Sequence, residues 1–391
     1  MTIDAVVVVP KPDRVVTYAV SSSEPNNGAL FLYGDPNSKK IALLCAGFAD
    51  DQTVFQPFAK ALSSNGIFVG VMCLPGYDDR PQDNVPWTNH KPNGYTFEEA
   101  TNAVRDAAKV LRAESTYNTS SSNDGKSTTD ADADAAKFIG IFGDFAVAPG
   151  SMWAKRAEEE VAAAAAAKNE TTDDDNNNNT FNGASVFKPD RIVFFDVLGG
   201  PSPKSKDIPK NVPELTAKEK MCSLLYKIVL AVSFLLQRDI SKHLAAAVFI
   251  VGFSVLKLLR LDPLYPFDTE GSQALYKESK NKLGLFRVMY MAYPYWSLVR
   301  DYNSLGTDVL NKISLHNDWK ATPILYLYGP KKRTQFHSTT TLKMLQREET
   351  EKRSLSKAIA VEDAGHYLYV SKQEECLKAV VEFMDAENTF I

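Results

Sequence analysis

The sequence predicts an α/β fold, a mostly parallel central sheet covered by helices on both faces, and three observations carry that expectation. Short continuous apolar runs, KIALLCAGF, GIFVGVMCLPG, KFIGIFGDFA, RIVFFDVLGG and TPILYLYG, have the character of strands buried on both sides. Helix-periodic segments stand between or after them: TVFQPFAKALSSNG, TFEEATNAVRDAAKVLRAE, PGSMWAKRAEEEVAAAAAAK and EECLKAVVEFM. Ahead of this alternation, DRVVTYAVSSS and ALFLYG flank the polar segment SEPNNG, which predicts an antiparallel start to the sheet. The N-terminal MTIDAVVVVPKPDR has an acid at Asp4, a short apolar run and an immediate proline, so it reads as a first strand rather than a secretory signal.

Composition shifts divide the chain. Residues 115–136 and 168–185 are polar, acidic and of low complexity, which predicts flexible surface insertions on either side of the unit around Asp144. From Pro201 to Asn317 the strand–helix alternation stops and apolar helices dominate, as expected of a helical lid inserted between two core strands. The expected division is a core over 1–200, a lid over 201–317 and a second core part over 318–391.

A chain of 391 residues, 44% hydrophobic, can bury a large core, while a net charge of −4 with Lys and Arg scattered among acids argues against nucleic acid as a partner. Cys45, Cys73, Cys222 and Cys376 sit in apolar runs without metal spacing, so reduced thiols and a reducing, cytoplasmic setting are expected. GxGxxG, P-loop and HExxH patterns do not occur, and no metal or cofactor is expected. The runs Cys222–Leu236 and Leu244–Leu259 each carry a lysine and fall short of the roughly 20 residues of a spanning helix. They read as two helices that bury one face, with peripheral membrane contact through residues 222–259, or a tunnel for a greasy substrate, as the other reading.

The order of antiparallel strands, LLCAGF, LPGYD, a strand–turn–helix at Asp144, FFDVLGG, a helical insertion, ILYLYG and DAGHYLYVSKQEECLKAVVEFM resembles the α/β-hydrolase superfamily, in the branch of epoxide hydrolases and haloalkane dehalogenases. The resemblance covers nearly the whole chain apart from the two polar insertions. It implies a hydrolase for an apolar small molecule that works through an aspartyl ester. Asp144 would be the nucleophile and His366 the base that activates water against the ester, a task suited to a side chain of pKa near 6.5. Where the family has glycine, any residue, aspartate, an aromatic and glycine, this chain reads Phe142-Gly143-Asp144-Phe145-Ala146. Capping of the following helix is the structural alternative for Asp144.

The commonest family position for the acid that orients the histidine here reads Pro330-Lys331-Lys332-Arg333, without an acid; the resemblance to haloalkane dehalogenases, which can place the acid at the end of the preceding core strand, makes Asp196 the candidate. A purely structural role for Asp196 stands as an equal reading. Asp318 precedes its strand and lies at the wrong end of the sheet. The resemblance further implies oxyanion stabilisation by the backbone N–H groups of Phe48 and Phe145, and a hydrogen bond to an epoxide oxygen from one of the tyrosines of YMAYPYW: Tyr290, Tyr293 or Tyr295. His90, His243, His316 and His337 lack a comparable context, and Ser151 lies outside a GxSxG pattern. Epoxide hydration leads, dehalogenation follows, and a noncatalytic binding or membrane-associated protein on a hydrolase scaffold is the alternative from a different class.

Overall fold

The computed structural model describes residues 9–20, 28–48, 50–77, 91, 93–116, 136–170, 188–198, 217–259, 270–300, 322–331, 336–337, 339–351 and 354–387. The chain begins with β1 (Arg14–Tyr18) and β2 (Gly28–Tyr33), paired antiparallel as the intervening polar turn segment predicts. Val9 and Pro10 are not in a strand, and the rest of the first apolar run lies outside the described residues. β3 (Lys40–Ala46), α1 (Gln56–Ser64), β4 (Phe68–Cys73), α2 (Phe97–Glu114), β5 (Lys137–Gly143), α3 (Val147–Glu170) and β6 (Arg191–Phe195) follow, with a two-residue β7 (Val197–Leu198) beyond β6. Five helices come next: α4 (Ala217–Asp239), α5 (Lys242–Leu258), α6 (Glu270–Leu283), α7 (Leu285–Tyr290) and α8 (Tyr293–Arg300). The chain then returns through β8 (Ile324–Tyr328), β9 (Phe336–His337), α9 (Thr339–Thr350), β10 (Lys357–Ala360), α10 (Leu368–Ser371) and α11 (Gln373–Asp385). The low-complexity insertions fall largely outside the described residues, as does Asp318.

The eight-stranded sheet has the order β1-β2-β4-β3-β5-β6-β8-β10, parallel from β4 to β10 and antiparallel at the β1-β2-β4 edge. Alternate residues of each strand enter opposite cores because successive side chains point to opposite faces. Ile41, Leu43 and Cys45 join one apolar cluster with Leu111 of α2 and Trp153 of α3, whereas Ala42, Leu44 and Ala46 join the other with Phe58 of α1 and Phe383 of α11. Such two-sided burial makes the strands read as unbroken apolar runs.

The helices have local reasons to start where they do. Thr96 and Glu99 form a reciprocal capping box at the start of α2, satisfying two donors that would otherwise be orphaned. β10 and α9 were not foreseen from the sequence. β10 is a four-residue edge strand that is only partly buried, so it lacks the continuous apolar signature of the inner strands.

Candidate functional site

The C-terminal edge of the parallel strands is where an open α/β sheet leaves room for a ligand, and there the predicted residues gather. Gly143, the last residue of β5, pairs with Phe195, the last of β6. Asp144 and Asp196 are therefore the first residues beyond neighbouring strand ends, and both have left-handed backbones, φ +44° and +60°. A non-glycine residue in that region is uncommon and costly, and such conformations cluster at functional turns. At Asp144 the backbone turns sharply through one 3-10 turn, Asp144–Ala146, into α3.

Phe142, where the family pattern has glycine, fits because glycines make room for it. Its ring lies where a Cβ at Gly150 would stand, 2.6 Å from that point, and 2.7 Å from the corresponding point at Gly140. Trp153 packs against it at 6.4 Å between ring centroids. The bulk is thus absorbed beside the turn by the absence of two side chains.

The loop after β3 presses on the same turn. A Cβ on Gly47 would stand 2.4 Å from the Phe145 nitrogen, 2.6 Å from the Gly143 oxygen and 2.8 Å from the Asp144 Cβ, so glycine is required for this approach. It brings the Phe48 and Phe145 segments side by side, as an oxyanion site would need. Asp50 and Asp51, next in this loop, are buried; Asp50 accepts from the Tyr367 hydroxyl at 3.2 Å, and Asp51 from Ser279 at 2.9 Å and the Thr53 amide at 3.0 Å.

His366 stands in the loop between β10 and α10. Its Nδ1 lies 2.5 Å from Asp196 Oδ2, with the histidine 5% and the aspartate 1% exposed, which makes the contact a buried one. The Asp196 amide donates to the Leu327 carbonyl at 2.8 Å, fixing the acid between β6 and β8. The histidine loop is held from the β8 side, where Val361 N donates to Tyr328 O at 2.9 Å and Lys331 N to Ala364 O at 3.0 Å. Burial raises the Tyr369 phenol well above its ordinary value, and the carboxylates of Asp50, Asp144 and Asp196 all add to that shift. All three acids thus act electrostatically on one tyrosine, and pairing of Gly143 with Phe195 sets Asp144 beside the strand end that carries Asp196.

Aromatic side chains close the site from the helical segment. Tyr295 of α8 meets Phe48 edge-on at 5.2 Å, Phe145 at 5.5 Å and Tyr226 of α4 at 5.7 Å. Burial pushes its phenol well above the ordinary value, with Tyr226 and Asp144 as further causes, and Tyr226 is its hydrogen-bond partner. Tyr290 and Tyr293 are engaged elsewhere: their hydroxyls donate to the carbonyls of Lys91 at 2.9 Å and Pro75 at 3.1 Å. Tyr77, which donates to the Met291 carbonyl, also has its phenol raised, first by burial and next by Asp144. Sequence reasoning assigned no role to Tyr226, which stands in an apolar helical run and meets Tyr295 only through packing, or to Tyr77, although the LPGYD segment that holds it was part of the resemblance.

Other residues behave as structural groups. Ser151 is buried and returns its hydroxyl to the Val147 carbonyl at 2.6 Å within the helix. Cys45, Cys73 and Cys376 are buried thiols, and burial pushes that of Cys376 up to about 12. His243 lies on the exposed side of α5 against Phe286 at 5.9 Å, and His90 and His316 are outside the described residues.

No family model matches the sequence, and a search of curated proteins finds no relative. Solved structures do match. An epoxide hydrolase from Vigna radiata aligns over 91% of this chain and 93% of its own, at 14% identity and TM-score 0.50. A variant of AqdC, described in complex with its substrate and as ring-cleaving the Pseudomonas quinolone signal, covers 95% and 99% at 11% identity and TM-score 0.52. A structure from work on carboxylesterases of the thaumarchaeon Nitrososphaera gargenis covers 95% and 97% at 12% identity and TM-score 0.50. The chain has the α/β-hydrolase fold. Since that α/β-hydrolase scaffold carries several chemistries among these neighbours, the reaction must be argued from the side chains.

Proposed function

We propose that this protein is a hydrolase of apolar small molecules that works through an ester on Asp144, with epoxide hydration as the favoured reaction. The observation that carries the reading is the buried Asp196–His366 contact beside the left-handed turn at Asp144. In this mechanism the Asp144 carboxylate attacks an epoxide carbon. The carbon–oxygen bond breaks, and the neutral phenol of Tyr295, assisted by Tyr226, gives its proton to the departing oxygen. Burial keeps this phenol protonated at neutral pH, so it meets the epoxide oxygen as a neutral hydrogen-bond donor and takes its proton back readily at the end of the cycle. His366, oriented through Nδ1 by Asp196, then takes a proton from water, and the hydroxide attacks the ester carbonyl. The amides of Phe48 and Phe145 stabilise the oxyanion that forms. Breakdown of the ester frees a diol and restores Asp144, while the proton held by His366 returns to the tyrosinate.

Placement of the orienting acid on Asp196 favours a second reading, displacement of halide from an apolar haloalkane through the same ester. Single-turnover reaction with apolar epoxides and haloalkanes in ¹⁸O water, followed by mass analysis of the peptide holding Asp144, tests both. Label should enter Asp144, and Asp144→Asn should not turn over. Absence of label and turnover on both substrate classes would leave a noncatalytic binding protein as the surviving reading.

A further inference from the structure

Among the described residues, fourteen large apolar side chains are exposed, and eleven of them lie between Met221 and Leu259, nine on α4 and α5 and two, Ile240 and Leu259, on the residues flanking α5. The two helices form an antiparallel hairpin, in which Gly252 of α5 lets the backbone close on Val229 of α4; a Cβ there would stand 2.7 Å from a Val229 methyl. Each helix is apolar on two sides. The inner side of α4 buries Tyr226, Leu230 and Phe234, while Leu224, Ile228 and Val232 project outward at helical spacing. On α5, Ala245 and Leu256 are buried, and Ile250, Val251 and Val255 are exposed. Ile240, in the turn before α5, is 70% exposed and Leu258 at its end 82%, with Leu244 exposed in its first turn, so the apolar surface runs the length of the helix.

Charge indicates what covers this surface. Residues 217–259 carry six Lys and Arg against two acids, Glu219 and Asp239, in a chain whose net charge is −4. Asp239 is ion-paired with Arg238. Exposed Lys242 and Lys257 stand at opposite ends of α5; Lys227 lies between Leu224 and Ile228, its side chain reaching the surface while its apolar surroundings hold the pKa of its ammonium below the ordinary value. A second copy on this face would set these cations against one another, whereas anionic headgroups would neutralise them. No helix of the described residues is long and apolar enough to cross a membrane. An apolar stripe flanked by lysines on helices of this kind suits a position in the plane of an interface.

We propose that the α4–α5 hairpin docks on the surface of an anionic lipid bilayer, its outer stripe entering the headgroup region and its lysines meeting lipid anions. Tyr226 projects from the inner side of the same α4, so the docked helix would set the tyrosine of the candidate site directly behind the lipid surface. That arrangement suits apolar molecules that partition into membranes; this substrate clause alone rests on the hydrolase reading.

The test is sedimentation of the full chain with phosphatidylcholine vesicles, alone or with about 30% phosphatidylserine, at low and high salt. The protein should sediment with the anionic vesicles, release at high salt, and stay in solution with phosphatidylcholine alone. Ile250→Glu with Val255→Glu should keep the thermal midpoint and lower vesicle partitioning by at least about tenfold. Lys242→Glu with Lys257→Glu should weaken binding to anionic vesicles by about tenfold or more. Partitioning that is absent, or unchanged in the Ile250→Glu, Val255→Glu protein, overturns the proposal. So does a dimer in light scattering that those two substitutions dissociate, since the face would then belong to a second copy. Because sedimentation needs no turnover, Asp144→Asn should partition like the unaltered protein, and failure of docking is distinct from failure of the ester mechanism.

Discussion

Gly47 shows at single-residue scale how much the candidate site depends on close backbone approach. A methyl group there would meet main-chain atoms of the Asp144 turn at 2.4 and 2.6 Å, which no flexible side chain can relieve. Gly47→Ala should cost about 1–3 kcal/mol of stability by overpacking, and should lower kcat more than thermal stability suggests because the Phe145 amide is displaced. Denaturant titration and kinetics with the identified substrate check this; an unperturbed kcat would remove the loop from the oxyanion role. Tyr295→Phe should lower epoxide turnover roughly a hundredfold or more while leaving haloalkane displacement much less affected, since halide departs without a proton. Equal loss on both substrates would count against Tyr295 as the donor. The two aspartates were visible in the sequence as chain positions, but the contact between Asp196 and His366 spans 170 residues and only pairing of β6 with β5 and β8 creates it.

At the scale of elements, the inner strands and the β1 edge were legible and the β10 edge was not. KIALLCAGF and RIVFFDVLGG announce themselves because both faces are covered, whereas β10, half-solvated at the sheet edge, has no distinctive pattern. The β5–α3 unit illustrates compensation: the bulky Phe142 is incompatible with a family pattern read residue by residue, yet Gly140 and Gly150 accommodate it. Gly150→Ala should destabilise the fold by about 1–3 kcal/mol, and the cost should shrink when Phe142→Leu is already present. A thermodynamic cycle from chemical denaturation measures the coupling; strictly additive effects would show that the ring and the glycine do not share space.

For the whole molecule, buried tyrosines set a limit in alkali. Tyr77, Tyr293, Tyr295, Tyr326, Tyr367 and Tyr369 all have phenols raised well above the ordinary value of 10.0, with burial as the largest cause. Below pH about 10 both folded and unfolded chains keep these protons, so the contribution to stability is complete. Above it the unfolded chain releases protons that the fold retains, and stability falls as pH rises, by about 1.4 kcal/mol per pH unit for each such tyrosine. Thermal melts followed by circular dichroism should be nearly flat from pH 8 to 9.5 and drop steeply beyond pH about 10. A flat profile through pH 11 would mean that these phenols are hydrated in solution.

By itself the sequence determined the fold class and the strand-end positions of Asp144 and Asp196, which are local consequences of apolar period and turn chemistry, and marked the histidine loop through the resemblance of AGHYLYV and the helix after it. Tertiary structure alone decided that Asp196 meets His366, that Tyr295 packs on Phe48 and Phe145 while the hydroxyls of Tyr290 and Tyr293 go to backbone carbonyls, that Tyr226 joins Tyr295, and that one side of α4 and α5 is uncovered. The physical reason is range: helical and strand patterns are written within a few residues, whereas these contacts join segments whose distance along the chain carries no sign of their distance in space.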